Sequence, residues 1–124
     1  MLWLAVGVGG ALGSLARHGV NIGAARWFGQ GAPYATAIVN IVGCLIIGLL
    51  AGSIAAGTLR LSEQARVFVF VGILGGFTTF SSFGLDTLTL VKSGATDAAL
   101  ANVAVQIIIG LGSVFVGYWA ARAF

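Results

Sequence analysis

Four long apolar stretches follow one another along the 124-residue chain, with only short polar or glycine-rich segments between them. The pattern predicts helical spans at about residues 2–28, 34–56, 66–91 and 96–122. Each is at least as long as the roughly 20 residues that a helix needs to cross a ~30 Å hydrocarbon core, and too long for barrel strands. The sequence therefore predicts an all-α membrane protein, with residues 1–124 forming a single domain of four transmembrane helices.

The composition agrees with a lipid environment and narrows the classes of function. Hydrophobic residues make up 59% of the chain and charged residues 7%, which is more apolar surface than a soluble domain of this size could bury. With one histidine, one cysteine and three acidic residues, nothing resembles a nucleophile with its base or a metal-binding cluster, so we expect no enzyme. The net charge of +3 comes from scattered basic residues, and we expect no nucleic-acid partner.

The basic residues are divided almost evenly between the two ends of the predicted spans. Four spans place Arg60, Arg66 and Arg122 on the side of both termini, while Arg26 and Lys92 lie on the opposite side. Orientation in a membrane follows the excess of Lys and Arg in short loops. Because that excess is nearly absent, the chain is expected to insert either way up.

Small residues four positions apart allow membrane helices to approach closely. The chain has four such pairs: Gly9 with Gly13, Gly48 with Gly52, Gly72 with Gly76, and Ser113 with Gly117. A pair of this kind can pack helices within one chain or between two chains, and the sequence leaves both open. Together with insertion in both orientations, the pairs predict an antiparallel, dual-topology homodimer.

Polar side chains recur inside the second and fourth spans. Thr36 and Asn40 lie four residues apart on one helical face, and Gly43 continues that face as a gap that a neighbouring helix could enter. Asn102 and Gln106 form a second pair at the same spacing. Strongly polar groups at membrane depth suggest function, although an amide that only joins two helices is an equally open explanation.

The third span contains GGFTTFSSFGLD, residues 75–86, which is unusually polar for a membrane helix. A glycine pair followed by two threonines predicts a break in the helix at mid-membrane, which frees backbone carbonyls that suit a hard monovalent cation. Beyond it, phenylalanines recur every three residues and polar side chains every four: Phe77, Phe80 and Phe83; Thr78, Ser82 and Asp86. Amide and hydroxyl donors, with the positive edges of aromatic rings, favour a small anion.

Three segments together resemble the Fluc/CrcB family of fluoride channels, over essentially the whole chain. They are GGFTTFSSF (75–83), Asn40 within VNIVGCLIIG (39–48), and Arg17 at the end of GGALGSLAR (9–17). The resemblance implies a fluoride-selective passive ion channel that exports cytoplasmic fluoride and relieves fluoride toxicity. It also implies an antiparallel homodimer with two pores, integral to the bacterial inner membrane.

The resemblance also assigns roles to residues. It implies a pore lined by six side chains: Thr36, Asn40, Phe80, Ser81, Ser82 and Phe83. The amide of Gln106 in the fourth span is predicted as a seventh pore residue from its own chemistry, not from the resemblance. The resemblance further implies a structural sodium ion at the centre of the dimer, bound by the backbone carbonyls of Gly75 and Thr78. Asp86 stands where the family usually has a glutamate, and the fourth span departs from the family's run of hydroxyls at Asn102, Gln106, Gly110 and Val114.

Two other classes of function are compatible with four short spans. A small, dual-topology, proton-coupled multidrug-type transporter would need a carboxylate in the first span, where this chain has only Arg17 and His18. A non-transporting membrane subunit would account for the glycine pairs, but not for a helix break, phenylalanines and donors in one place. Proton-coupled cation flux would indicate the transporter, and absence of any flux would indicate the subunit.

Overall fold

The described residues, 1–30 and 33–124 of a computed structural model, form five helices. They are α1 (Leu2–Phe28), α2 (Tyr34–Ala55), α3 (residues 63–77), α4 (Phe80–Lys92) and α5 (Thr96–Ala123). Wider π turns occur within α3 and α5, at Val67–Leu74 and Val105–Ile109. Every regular element in these ranges is helical, as predicted. Residues 31 and 32, in the first predicted connection, lie outside the described residues.

Three helical segments in the described ranges are long and apolar enough to cross a membrane: Tyr34–Ala55, Glu63–Lys92 and Thr96–Ala123. The segment Glu63–Lys92 consists of α3 and α4 together. Helix α1 has sufficient length, with 27 residues, but Arg17 and His18 near its middle make it less apolar. The chain is therefore an integral membrane protein in which three of the four predicted spans satisfy both length and apolarity by themselves.

Glycine brings α1 onto α3 without intervening side chains. A Cβ added to Gly9 would lie 2.5 Å from the carbonyl oxygen of Phe68 and 3.0 Å from the Cα of Gly72. One added to Gly76 would lie 2.6 Å from the carbonyl oxygen of Gly10. Such backbone approach gives the close van der Waals packing that replaces the hydrophobic driving force in lipid.

The same device joins α2 to the second half of α5. A Cβ at Gly48 would overlap the carbonyl oxygen of Val114, and one at Gly117 would lie 2.5 Å from that of Leu45. Every glycine of the four predicted pairs therefore packs against another helix of the same chain. This outcome removes them as an argument for contact between two chains, because their surfaces are already occupied.

The predicted break in the third span is confirmed at Thr78 and Thr79, near the middle of Glu63–Lys92. Both residues have extended backbones, with φ/ψ of −89°/158° and −155°/122°. Helix α4 begins again directly afterwards, because the Thr79 hydroxyl accepts a hydrogen bond of 3.1 Å from the backbone N–H of Ser82. This is an ordinary N-cap, which satisfies one of the free donors at a helix start.

Candidate functional site

Asn40 of α2 holds the break between α3 and α4. Its Oδ1 accepts the backbone N–H of Thr79 at 2.8 Å, and its Nδ2 donates to the carbonyl of the same residue at 2.9 Å. One turn later, Gly43 leaves the space that the methyl group of Thr78 occupies, as predicted for a gap on this face. Because unpaired backbone groups are costly in lipid, these contacts make the break tolerable.

A chain of side-chain hydrogen bonds, here called the amide relay, runs from Asn40 through Gln106 and Asn102 to Thr87. The Nδ2 of Asn40 donates to Gln106 Oε1 at 2.7 Å, and Gln106 Nε2 donates to Asn102 Oδ1 at 2.9 Å. Asn102 Nδ2 then donates to Thr87 Oγ1 at 3.1 Å. The relay joins α2, α5 and α4. Its amides therefore connect helices, which is one of the two roles that the sequence left open for them.

A cavity of about 330 Å³, here called the first cavity, lies beside the break. Six of the predicted site residues line it: Asn40, Gly75, Thr78, Phe80, Phe83 and Gln106. The rings of Phe80 and Phe83 meet edge to face, with centroids 5.5 Å apart and planes at 64°. Phe83 is buried, whereas 79% of Phe80 is exposed on the isolated chain.

Two further predicted residues lie at a second cavity of about 580 Å³. Thr36 and Ser82 line it together with Asp86 and Asn21. Thr36 stands one helical turn before Asn40 on α2, so the two cavities follow the same face of that helix. Ser81 lies at neither cavity. Its exposed hydroxyl is 3.2 Å from the hydroxyl of Thr79.

The break removes the usual helical donors from the carbonyls of Gly75 and Thr78, the two that the family resemblance implied as cation ligands. In an unbroken helix, Gly75 would accept from the N–H of Thr79, which here donates to Asn40 instead. Thr78 would likewise accept from the N–H of Ser82, which here donates to the Thr79 hydroxyl. The break therefore leaves the carbonyls of Gly75 and Thr78 without the donors that an unbroken helix would give them. The described residues contain no group of three His, Cys, Asp or Glu that could bind a metal.

Sequence reasoning missed two residues at the site, Thr79 and Thr87. Thr79 supplies both the backbone that Asn40 binds and the cap of α4. Thr87 ends the amide relay, and a signal for it was present: α4 and α5 are joined by a short turn at residues 93–95. Residues at similar distances on either side of a tight helical hairpin face each other, which pairs Thr87 with Asn102.

The sequence is similar to known proteins along nearly its whole length. Residues 4–118 match the family described as "CrcB-like protein, Camphor Resistance (CrcB)". The chain is 44% identical over 120 residues to the fluoride-specific ion channel FluC of Hyphomonas neptunium, with 97% of this chain and 94% of that protein covered. It is 45% identical over 114 residues to FluC of Rhodospirillum centenum, with 92% and 90% covered. FluC of Chloroflexus aurantiacus is 41% identical over 121 residues, with 98% and 95% covered. With such matches along nearly its whole length, the chain belongs to the CrcB family.

Proposed function

We propose that this protein is a fluoride-selective passive ion channel that exports cytoplasmic fluoride and thereby relieves fluoride toxicity. The proposal rests chiefly on the first cavity, where the edge-to-face pair Phe80 and Phe83 meets the amides of Asn40 and Gln106 beside a helix break. The relatives named above, all called fluoride-specific ion channels, support the same function.

The wall of the first cavity suits a small, hard anion. No carboxylate, imidazole, ammonium or guanidinium group is among its described lining residues, and its polar groups are amides, hydroxyls, the Cys44 thiol and backbone. Amide and hydroxyl hydrogens can replace the water around an anion, and the positive edges of phenylalanine rings add to that field. A site without fixed charge binds an ion weakly enough to release it again, as conduction requires.

A passive channel is sufficient for export. Hydrogen fluoride enters cells uncharged and dissociates in the cytoplasm, where the anion is trapped. A membrane potential of 100 mV, negative inside, is worth about 2.3 kcal/mol per charge, and a tenfold ratio is worth about 1.4 kcal/mol. Such a potential could therefore hold internal fluoride roughly 40-fold below external fluoride without a pump.

We also propose that two copies assemble as an antiparallel homodimer in the bacterial inner membrane. The large exposure of the Phe80 ring, although this ring lines the first cavity, supports a second copy that completes the wall. The even division of basic residues between the two ends of the helices supports insertion in both orientations. The glycine pairs no longer contribute to this proposal.

A structural sodium ion at the centre of the dimer fits the same geometry. The carbonyls of Gly75 and Thr78 have lost their helical donors, and Gly75 lies at the exposed surface of the chain. Oxygen ligands of this kind suit a hard monovalent cation. When bound between two copies, the ion would neutralise the carbonyl dipoles that both breaks leave exposed.

The decisive experiment measures efflux of fluoride, with chloride in parallel, from liposomes that contain the purified protein. Fast fluoride efflux with negligible chloride efflux is expected for the wild type, with large losses for Phe80→Ile and Asn40→Asp. Phe115→Ile is a matched control, since Phe115 is an exposed ring of α5 away from both cavities. Folded wild-type protein without fluoride efflux would contradict the proposal and favour a non-transporting subunit.

A further inference from the structure

The amide relay leads out of the first cavity to two residues that line neither cavity, Asn102 and Thr87. We propose that these two are positioning residues, which fix the direction in which the side-chain amide of Gln106 points at the anion pathway. The inference rests on the proposed function and assigns to it two residues that do not contact the ion.

The direction of the relay is set first at the Thr87 end. The Thr87 hydroxyl donates to the carbonyl of Phe83 at 2.8 Å, and a hydroxyl has a single hydrogen to give. Toward Asn102 it can therefore only accept, which requires Asn102 to present Nδ2. The Oδ1 of Asn102 then faces Gln106 and accepts from Nε2.

The same direction is imposed at the other end. The backbone N–H of Thr79 can only donate, which requires Asn40 to present Oδ1 to it. Asn40 Nδ2 is then left to donate, both to the Thr79 carbonyl and to Gln106 Oε1. Gln106 is thus bound at both ends of its amide, with Oε1 toward Asn40 and Nε2 toward Asn102.

This orientation determines which donors an anion in the first cavity can meet. Both Nδ2 hydrogens of Asn40 already have acceptors, whereas Gln106 gives only one Nε2 hydrogen to the described residues, to Asn102. The second hydrogen belongs to a side chain on the cavity wall. If the amide reversed, Nε2 would oppose Asn40 Nδ2, donor against donor, and an acceptor would replace the donor.

Burial makes a misoriented amide of Asn102 or Gln106 costly. Asn102 and Gln106 are each only 7% exposed, so water cannot easily compensate a misoriented amide. In such surroundings, networks of hydrogen bonds are strong when complete and costly when partly satisfied. Loss of the Thr87 hydroxyl would free Asn102 to reverse, and a reversed Asn102 would turn its own Nδ2 toward Gln106 Nε2, donor against donor. The amide of Gln106 would then be held only from the Asn40 end.

The test compares Thr87→Val with Thr87→Ser in liposomes, with the initial rate of fluoride efflux measured against the internal fluoride concentration. Thr87→Val keeps the side-chain shape but removes the acceptor, and it is expected to raise the half-saturating fluoride concentration about tenfold, as for loss of one hydrogen bond to a charged group. Thr87→Ser keeps the hydroxyl and should stay within about twofold of the wild type, by the same reasoning. Thr58→Val removes a hydroxyl that donates to the carbonyl of Ser53 outside the relay, and should also change little.

The dependence of the efflux rate on fluoride concentration distinguishes a positioning role of Thr87 from a purely structural one. A purely structural role would lower the maximal rate, through less active protein, and leave the half-saturating concentration unchanged; that result would overturn the inference. If Thr87→Val does not fold, Thr87→Ala removes the same hydroxyl with less volume, and the same shift is expected. Wild-type protein without fluoride efflux would overturn the proposed function and this inference with it, whereas a conducting wild type with an unshifted Thr87→Val overturns the inference alone.

Discussion

Helices α2 and α5 meet along two regions of opposite chemistry. In the second half of α2, Gly48 and Gly52 lie against the backbone of α5, and no side chain separates the helices. Two turns earlier, Asn40 reaches Gln106 through a hydrogen bond of 2.7 Å. Lipid provides no hydrophobic force between helices, so association depends on close packing and on interhelical hydrogen bonds. The pair α2 and α5 uses close packing at Gly48 and Gly52, and a hydrogen bond between side chains at Asn40.

The difference shows how so small a chain combines stability with a polar pathway. The glycine region depends only on close steric fit, so an added side-chain atom would disturb it. The amide region depends on the orientation of its hydrogen bonds, because each donor must meet an acceptor. Substitutions in the first region should therefore change folding, whereas substitutions in the second should change conduction as well.

The largest effect is expected from Asn40→Leu, which removes the side-chain amide that bonds to Thr79 and Gln106. The N–H and carbonyl of Thr79 would lose their partners, at about 1–3 kcal/mol for each buried group left unpaired. We expect a lower unfolding temperature in detergent and no fluoride efflux from liposomes. A variant as stable as the wild type would show that Asn40 does not hold the break.

The second largest effect is expected from Gly48→Ala, which disturbs the close packing of α2 on α5 but not the amide hydrogen bonds. The new methyl group would overlap the carbonyl oxygen of Val114, and overpacking of this kind costs about 1–3 kcal/mol. Thermal unfolding and size-exclusion chromatography in detergent measure the loss of folded protein. Gly112→Ala is the matched control, because Gly112 has open space around it and alanine favours a helix by about 1 kcal/mol. Equal behaviour of the two variants would contradict close packing at Gly48.

A smaller effect is expected from Thr79→Val, which removes the cap that restarts α4 but leaves the bonds to Asn40. Loss of an N-cap hydroxyl costs about 0.5–2 kcal/mol, so the unfolding temperature should fall modestly. Thr79→Ser retains the hydroxyl and should restore most of that stability. An unchanged unfolding temperature in Thr79→Val would show that the bond to Ser82 does not stabilise the start of α4.

The smallest effect is expected at Arg122, at the C-terminal end of α5. Its guanidinium lies 5.4 Å from the ring centroid of Trp119 and 5.5 Å from that of Tyr118. An exposed cation–π contact is worth about 0.5–1 kcal/mol. Arg122→Gln should therefore lower thermal stability slightly and leave the rate of fluoride efflux per folded protein unchanged. A large loss of efflux would show that the C-terminal end of α5 takes part in conduction.

Some features of the site could be predicted from the sequence and others could not. The break was predictable because a glycine pair weakens the helix one residue before two threonines, which is a local property of the chain. The pairing of Asn102 with Gln106 was likewise predictable from helical spacing, and it is confirmed by a hydrogen bond of 2.9 Å. The part played by Thr79 was not, because its backbone is paired with Asn40, 39 positions away.

The sequence by itself determined the properties that depend on near neighbours. These are the apolar helices, the broken third span, and the faces that carry amides, phenylalanines and small residues. Only the tertiary structure decided which of these faces meet. It showed that the glycines pack helices within one chain, and that Asn40, Gln106, Asn102 and Thr87 form a single directed relay. Helical periodicity fixes which residues share a face, but the partner of a face depends on how distant segments pack together.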